Sequence, residues 1–324
     1  MSGERTRPAS ATAAQATRLA NFIIGGTEKS GTTSVFDNLS AHPQVCASTR
    51  KETDFFRHGY SGDPLVDARR YATFFERCDQ SLPVLMEASP GYLGEAAMVA
   101  PRLRALVPGV KLLFILRDPV ERFYSSYQFH RARLNLPQQL TCDDYLQRCL
   151  EYDRGALSAR DSGLDEWYLK VLRFGRYADC LEMFRLQLPP ANLKVMFFES
   201  LRQDERAFMV ELSGFLGIDP AFWSDYRFRR SNVTFSGRNH ALHRLAVRVN
   251  TLAEPLLRRY PGLKRSLLRV YKTVNEEREG YEPMPAATRT LLVGYYGPSV
   301  RALQLQLGAA LPDAWHYLAR RTQA

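Results

Sequence analysis

Two short stretches of this sequence place anion-binding side chains at the ends of strand-like runs. The first is Gly26-Thr27-Glu28-Lys29-Ser30-Gly31-Thr32-Thr33-Ser34, between the apolar run Asn21–Gly25 and a helical pattern. A glycine-rich turn in that setting faces the first unbonded N–H groups of the helix and the positive end of its dipole. Phosphate-like oxygens bind well there, and Lys29, Ser30, Gly31, Thr32, Thr33 and Ser34 are the candidate contacts. Gly26 and Gly31 have the spacing of the nucleotide triphosphatase loop G-x-x-x-x-G-K-[ST], but Thr32 stands where that motif has lysine. The lysine of this loop is Lys29. The usual cradle for β- and γ-phosphates is therefore missing, which counts against a kinase or triphosphatase.

The second stretch is the run Lys111–Leu116 followed by Arg117-Asp118-Pro119-Val120-Glu121-Arg122 and, two helical turns on, Ser125. A strand ending in an acid has the outline of a magnesium site. Asp, then Pro, then Glu three residues later is instead the grammar of a helix start: Asp118 as N-cap, Pro119 at the first position, Glu121 closing a capping box. No metal ligand is expected. Arg117 lies where open α/β sheets bind ligands, at the carboxyl end of a central strand. With Ser125 on the inward face of the next helix, it can hold a second phosphate.

The elements that must position these groups alternate along the chain. Residues 21–25, 84–87, 111–116 and 192–198 read as strands buried on both faces. Helical patterns lie between them, over 32–39, 101–106, 120–133 and 177–188, and the chain beyond Phe198 is almost wholly helical in pattern. This predicts a P-loop-like three-layer α/β domain, a central parallel sheet flanked by helices with a mostly helical C-terminal part. Residues 1–20 read as a disordered leader and 21–324 as a single domain.

Composition narrows the choice of partners. The 324 residues include 44 Lys+Arg and 34 Asp+Glu, a net charge of +10, with 45% hydrophobic and 24% charged residues, the mixture of a folded protein. No apolar run approaches the ~20 residues of a membrane span. Cys46, Cys78, Cys142, Cys149 and Cys180 are odd in number and form no C-x-x-C pair. That speaks against a disulfide scaffold and for a reducing, cytoplasmic setting. Between Arg227 and Lys272 stand twelve basic residues and one acid, Glu254, so this segment holds nearly all the excess charge. It suits an anionic partner, and a nucleic-acid or peripheral membrane module is the alternative to an enzyme.

The two loops, with two blocks between them, resemble the sulfotransferases that use 3′-phosphoadenosine 5′-phosphosulfate (PAPS), in particular the carbohydrate branch acting on heparan sulfate. That branch shows IIGxxKxGTTxL, K-E-x-x-F-F, E-K-[ST]-P-x-Y and LRDPxERxxSxY. This chain has FIIGGTEKSGTTSV, Lys51-Glu52-Thr53-Asp54-Phe55-Phe56, Glu87-Ala88-Ser89-Pro90-Gly91-Tyr92 and LRDPVERFYSSY, in that order. The resemblance covers about Asn21 to Leu201 and extends to a closing helix near LVGYYGPSVRALQLQLG and Trp315. It implies direct in-line transfer of a sulfuryl group from PAPS to an acceptor hydroxyl, with no metal. Lys29 would stabilise the bridging oxygen, residues 30–34 would hold the 5′-phosphosulfate, and Arg117 and Ser125 the 3′-phosphate. Glu52 would be the general base, with His58 as rival and His42 as a turn residue, and Gly237-Arg238 a late loop closing over the 3′-phosphate. Ala88 departs from the branch's lysine. With no signal anchor in this sequence, that points to a soluble bacterial-style relative whose acceptor is a small glycan, lipid or natural product, and no nucleic-acid partner is expected.

Overall fold

The computed structural model describes residues 18–228 and 283–319. Its five strands, β1 (Phe22–Gly26), β2 (Val45–Ala47), β3 (Val84–Ala88), β4 (Lys111–Leu116) and β5 (Leu193–Phe197), form one sheet in the order β2-β3-β1-β4-β5. Every strand pair is parallel. β1 sits between β3 and β4, with Phe22 opposite both Met86 and Lys111. The chain leaves β1 for one side of the sheet and later crosses to the other, so the loop after β1 opens at the switch point, where a crevice forms between diverging connections.

Alternation along the strands explains the two layers of helices. Phe22, Ile24, Met86, Leu113 and Ile115 join one core cluster, and Ile23, Leu85, Leu112, Phe114 and Leu116 join the other. All ten are essentially inaccessible to solvent. Burying each such side chain stabilises the fold by roughly 1.5–3 kcal/mol, which is why the strands read as unbroken apolar runs.

The helices are α1 (Thr32–Leu39), α2 (Pro64–Ala72), α3 (Ala96–Leu106), α4 (Pro119–Ala132), α5 (Cys142–Asp153), α6 (Ala159–Ser162), α7 (Glu166–Leu169), α8 (Tyr177–Arg185), α9 (Phe198–Gln203), α10 (Glu205–Leu216), α11 (Ala286–Leu307) and α12 (His316–Ala319). On one face α1 and α10 cover the sheet through Val35, Leu39, Phe208, Met209 and Leu212. On the other, α3, α4, α5, α8 and α11 share the larger cluster, which also takes in Trp315. α11 is the closing helix expected from the sequence, packed on α4, α5 and α8 and ended by Gly308 in the left-handed conformation.

Several details differ from the sequence reading. Arg18, assigned to the leader, donates to the carbonyls of Gln80 and Leu82, and Ala20 is buried. Asp118 is an N-cap as expected, its Oδ1 accepting from Val120 N and Glu121 N, but no capping box closes on it. Glu199 accepts the Asp118 N–H at 3.0 Å, because β5 brings α9 alongside, and Glu121 turns away to Arg289 at 2.6 Å. Cys46 and Cys78 form a disulfide joining edge strand β2 to the turn after Phe75. A disulfide is thus present although the cysteine pattern spoke against a disulfide scaffold, and the argument for a reducing compartment loses that premise. Gly237, Arg238 and nearly all of 227–272 lie outside the described residues.

Candidate active site

Each candidate group sits at the carboxyl end of a strand or on the helix that follows. β1 runs into the loop Thr27–Gly31, which stays tied to the sheet by the Thr27 N–H donating to Ile115 O at 3.0 Å. Gly31 has φ 79°, a left-handed conformation that favours glycine, and a Cβ there would push the Leu201 side chain aside from 2.7 Å. Gly31 is also the N-cap of α1, with no side-chain hydrogen bond capping the helix. The amides of Thr32 and Thr33 at the start of α1 thus face the space where an anion would sit. Ser30 Oγ is fully buried and has no hydrogen-bond partner among the described residues. A buried hydroxyl without a partner is costly, and an anionic ligand oxygen would satisfy it.

Lys29 has φ 69° and lays its Nζ 3.6 Å from the centroid of the Phe129 ring on α4. Burial lowers its pKa to about 8; Glu28 opposes the shift, and Arg117 and Arg133 add to it. An ammonium so placed gains from an incoming anion more than an exposed lysine does. Arg117, directly after β4, donates from Nη1 to Lys29 O at 2.9 Å and packs its guanidinium on Phe198, 4.9 Å from the ring centroid. The structure therefore brings Lys29 and Arg117 together, as the two stretches suggested separately. Ser125 is half-buried on α4, three residues after Arg122 and one turn before Phe129, hence on the helix face turned toward Lys29. Beside Arg117 opens a cavity of about 550 Å³ whose wall includes Phe198, Arg202 and Tyr317. Asp118 does not offer a free carboxylate to it, since Tyr317 donates to Asp118 Oδ2 at 2.6 Å.

The carboxylates are arranged differently from expectation. Glu52 is exposed, its backbone N–H bonded to Ala88 O and its side chain paired with Lys51 Nζ at 2.5 Å. Glu28, which the sequence reading passed over, is half-buried beside it. Burial raises the Glu28 pKa and the neighbouring Glu52 raises it further, against Arg122, Lys29 and Arg57. Arg122 explains part of that setting. It is fully buried, donates from Nη2 to Val171 O at 2.6 Å, and lies beside the Tyr177 and Tyr296 hydroxyls. A glutamate inside the anion loop was visible in the sequence, but its contact with a second carboxylate was not.

The two histidines separate cleanly. His42 is buried and structural: Nδ1 accepts from Gln44 N, so Nε2 donates to Asp219 O at 2.9 Å, and its ring packs on Phe222 and Trp223. His58 is exposed, on the π-helical turn Phe55–Gly59, and lines a second cavity of about 380 Å³ with Arg50 and Arg70. A third, His130 on α4, was not singled out from sequence; burial beside Lys29 lowers its pKa to about 4 and keeps it neutral.

Comparison with known proteins decides the family. Residues 19–226 match the family model described as "Sulfotransferase domain". The chain belongs to the sulfotransferase family. Among relatives, a membrane-associated sulfotransferase kil1 of Dictyostelium discoideum is 38% identical over 111 residues, 34% of this chain and 23% of that protein. The human bifunctional heparan sulfate N-deacetylase/N-sulfotransferase 3 is 27% identical over 312 residues, 91% of this chain and 31% of that protein. This chain thus spans about a quarter to a third of the length of these relatives. The crystal structure of a sulfotransferase from Alicyclobacillus acidocaldarius superposes with a TM-score of 0.62 at 20% identity, covering 92% of this chain and 99% of that one, so the fold is shared.

Proposed function

We propose that this sulfotransferase moves the sulfuryl group of PAPS to an acceptor hydroxyl or amine, with residues 21–324 acting as one catalytic domain. The observation that carries the reading is the loop after β1. There a buried Ser30 hydroxyl without a partner among the described residues, an α1 without a side-chain cap and a desolvated Lys29 converge, with Arg117 bonded to the same loop. An anion with two phosphate-like ends fits that layout, its 5′ end at residues 29–34 and its 3′-phosphate at Arg117 and Ser125. The cavity beside Arg117 is the place for the nucleoside.

PAPS brings an already activated sulfuryl group, so the protein's work is to position reactants and neutralise charge as it moves. The Lys29 ammonium faces the charge that builds on the phosphate oxygen when the S–O bond breaks. Glu52 takes the acceptor proton as the new bond to sulfur forms. To do so it exchanges its pairing with Lys51 for the acceptor, a weak exposed ion pair that is easily given up. Glu28 holds its own proton more tightly in its half-buried position.

The test is a panel of hydroxylated and amino acceptors with radiolabelled PAPS, run on the wild type, Glu52→Gln, Glu28→Gln and His58→Asn. A base contributes ~10²–10⁴-fold to rate. Loss of that order in Glu52→Gln, with unchanged binding of 3′-phosphoadenosine 5′-phosphate (PAP), is the expected result. A near-normal Glu52→Gln enzyme beside an inactive Glu28→Gln or His58→Asn enzyme would move the base to that residue.

A further inference from the structure

Glu87, near the end of β3, is fully buried, and its carboxylate is ringed by hydroxyls. Oε1 accepts from Thr53 Oγ1 at 2.6 Å, Ser89 Oγ at 2.6 Å and Tyr92 OH at 2.8 Å, and Oε2 accepts from Tyr71 OH. A glutamate in the interior is expensive without donors of this kind, and an apolar residue would serve a sheet core better. The destination of the donors explains its presence. Thr53 directly follows Glu52. Ser89 Oγ also accepts from Asp54 N at 3.0 Å, and Tyr92 OH from Phe56 N at 3.3 Å. The Glu52 N–H itself is held by Ala88 O at 2.7 Å, one residue beyond Glu87. One carboxylate thus organises three successive anchors for the segment that carries Glu52.

That segment needs anchoring. Glu52 and Asp54 have φ of 60° and 50°, a left-handed conformation that residues other than glycine keep only where their surroundings impose it. We propose that Glu87 is a positioning residue for sulfuryl transfer: through Thr53, Ser89 and Tyr92 it fixes the left-handed turn that presents Glu52 to the acceptor. The inference rests on Glu52 being the base.

Thr53 gives the cleanest test, because Thr53→Ala cuts one spoke and leaves Glu87 its other donors, whereas Glu87→Gln alone can fail to fold. Turnover is read as PAP released from PAPS, with N-desulfated heparan sulfate as acceptor and with water alone, and PAP affinity is read by calorimetry. Thr53→Ala is expected to lower kcat about ten- to a hundredfold, the scale of a misplaced catalytic group, with PAP affinity within about twofold of wild type. Thr53→Ser should restore kcat. In a Glu52→Gln background Thr53→Ala should cost nothing more, since the group it positions is already disabled. Unchanged kcat in Thr53→Ala, no rescue by serine, or the same further loss on top of Glu52→Gln would each overturn the inference. If Thr53→Ala is normal while Glu52→Gln is dead, the positioning role alone falls. If Glu52→Gln is fully active, the base assignment falls with it.

Discussion

Raising the pH from 7 to 9 should weaken the hold on PAP through one group, Lys29. Burial sets its pKa at about 8, with Glu28 opposing and Arg117 and Arg133 reinforcing the shift. The sign follows directly: the side chain is an ammonium below that value and a neutral amine above it. About nine-tenths is charged at pH 7 and about one-tenth at pH 9. If only the ammonium form engages the 5′-phosphate, apparent affinity scales with the charged fraction, so the Kd for PAP rises about tenfold, or ~1.4 kcal/mol. His130 does not mimic the effect, being neutral throughout with a pKa near 4, and Arg117 stays charged. Isothermal titration between pH 6.5 and 9.5 reads the curve. Lys29→Arg, which keeps its charge, should flatten it. A wild-type Kd that is constant across this range, or the same slope in Lys29→Arg, would refute the reasoning.

The other expectations are briefer. Arg117→Ala should cost about 2–5 kcal/mol in PAP binding, since it strips a charge from a half-buried site, and Ser125→Ala about 1 kcal/mol, both measured by calorimetry; equal wild-type affinity in Arg117→Ala would remove it from the 3′-phosphate. Turnover should survive exhaustive EDTA treatment, because the Asp118 carboxylate is spent on its own helix and on Tyr317; activity lost in EDTA and restored by magnesium would contradict this. Replacing Cys46 by serine should lower stability by about 3–4 kcal/mol, from the loop that its bond to Cys78 closes. A melting temperature that neither the substitution nor a reductant alters would show that the bond contributes nothing.

What could be read in the sequence was whatever a few adjacent residues decide by themselves. β4 is an unbroken apolar run because both its faces are covered, so its limits were visible as Lys111–Leu116. Asp118-Pro119 marked the start of α4 for the same local reason. What depended on distant partners was not visible. β2 has three residues at a sheet edge, too few for a periodic signal. Glu121 left its expected cap because Arg289, far along the chain, competes for it and Glu199 takes its place. Of the site, the anion-binding loop and Arg117 were legible by residue type and setting. The nearness of Glu28 to Glu52 arises only in the folded sheet, and the hydroxyl ring around Glu87 only when Thr53 and Tyr71 fold back onto the end of β3.

That adjacency also sets when the site can come into being. β1 precedes both of its neighbours in the chain, so it has no strand partner until Met86 has been synthesised and its second only with Lys111. Parallel pairings of this span form late, after the entropy of closing long loops has been met. On the ribosome the anion-binding loop must therefore wait, its flanking strand Phe22–Gly26 apolar and unpaired on at least one edge, until β3 and then β4 have emerged. Such a strand is a natural target for chaperones in a chain of this size. Slowing translation before codon 111 should lengthen that exposed interval, with more aggregation as the cost.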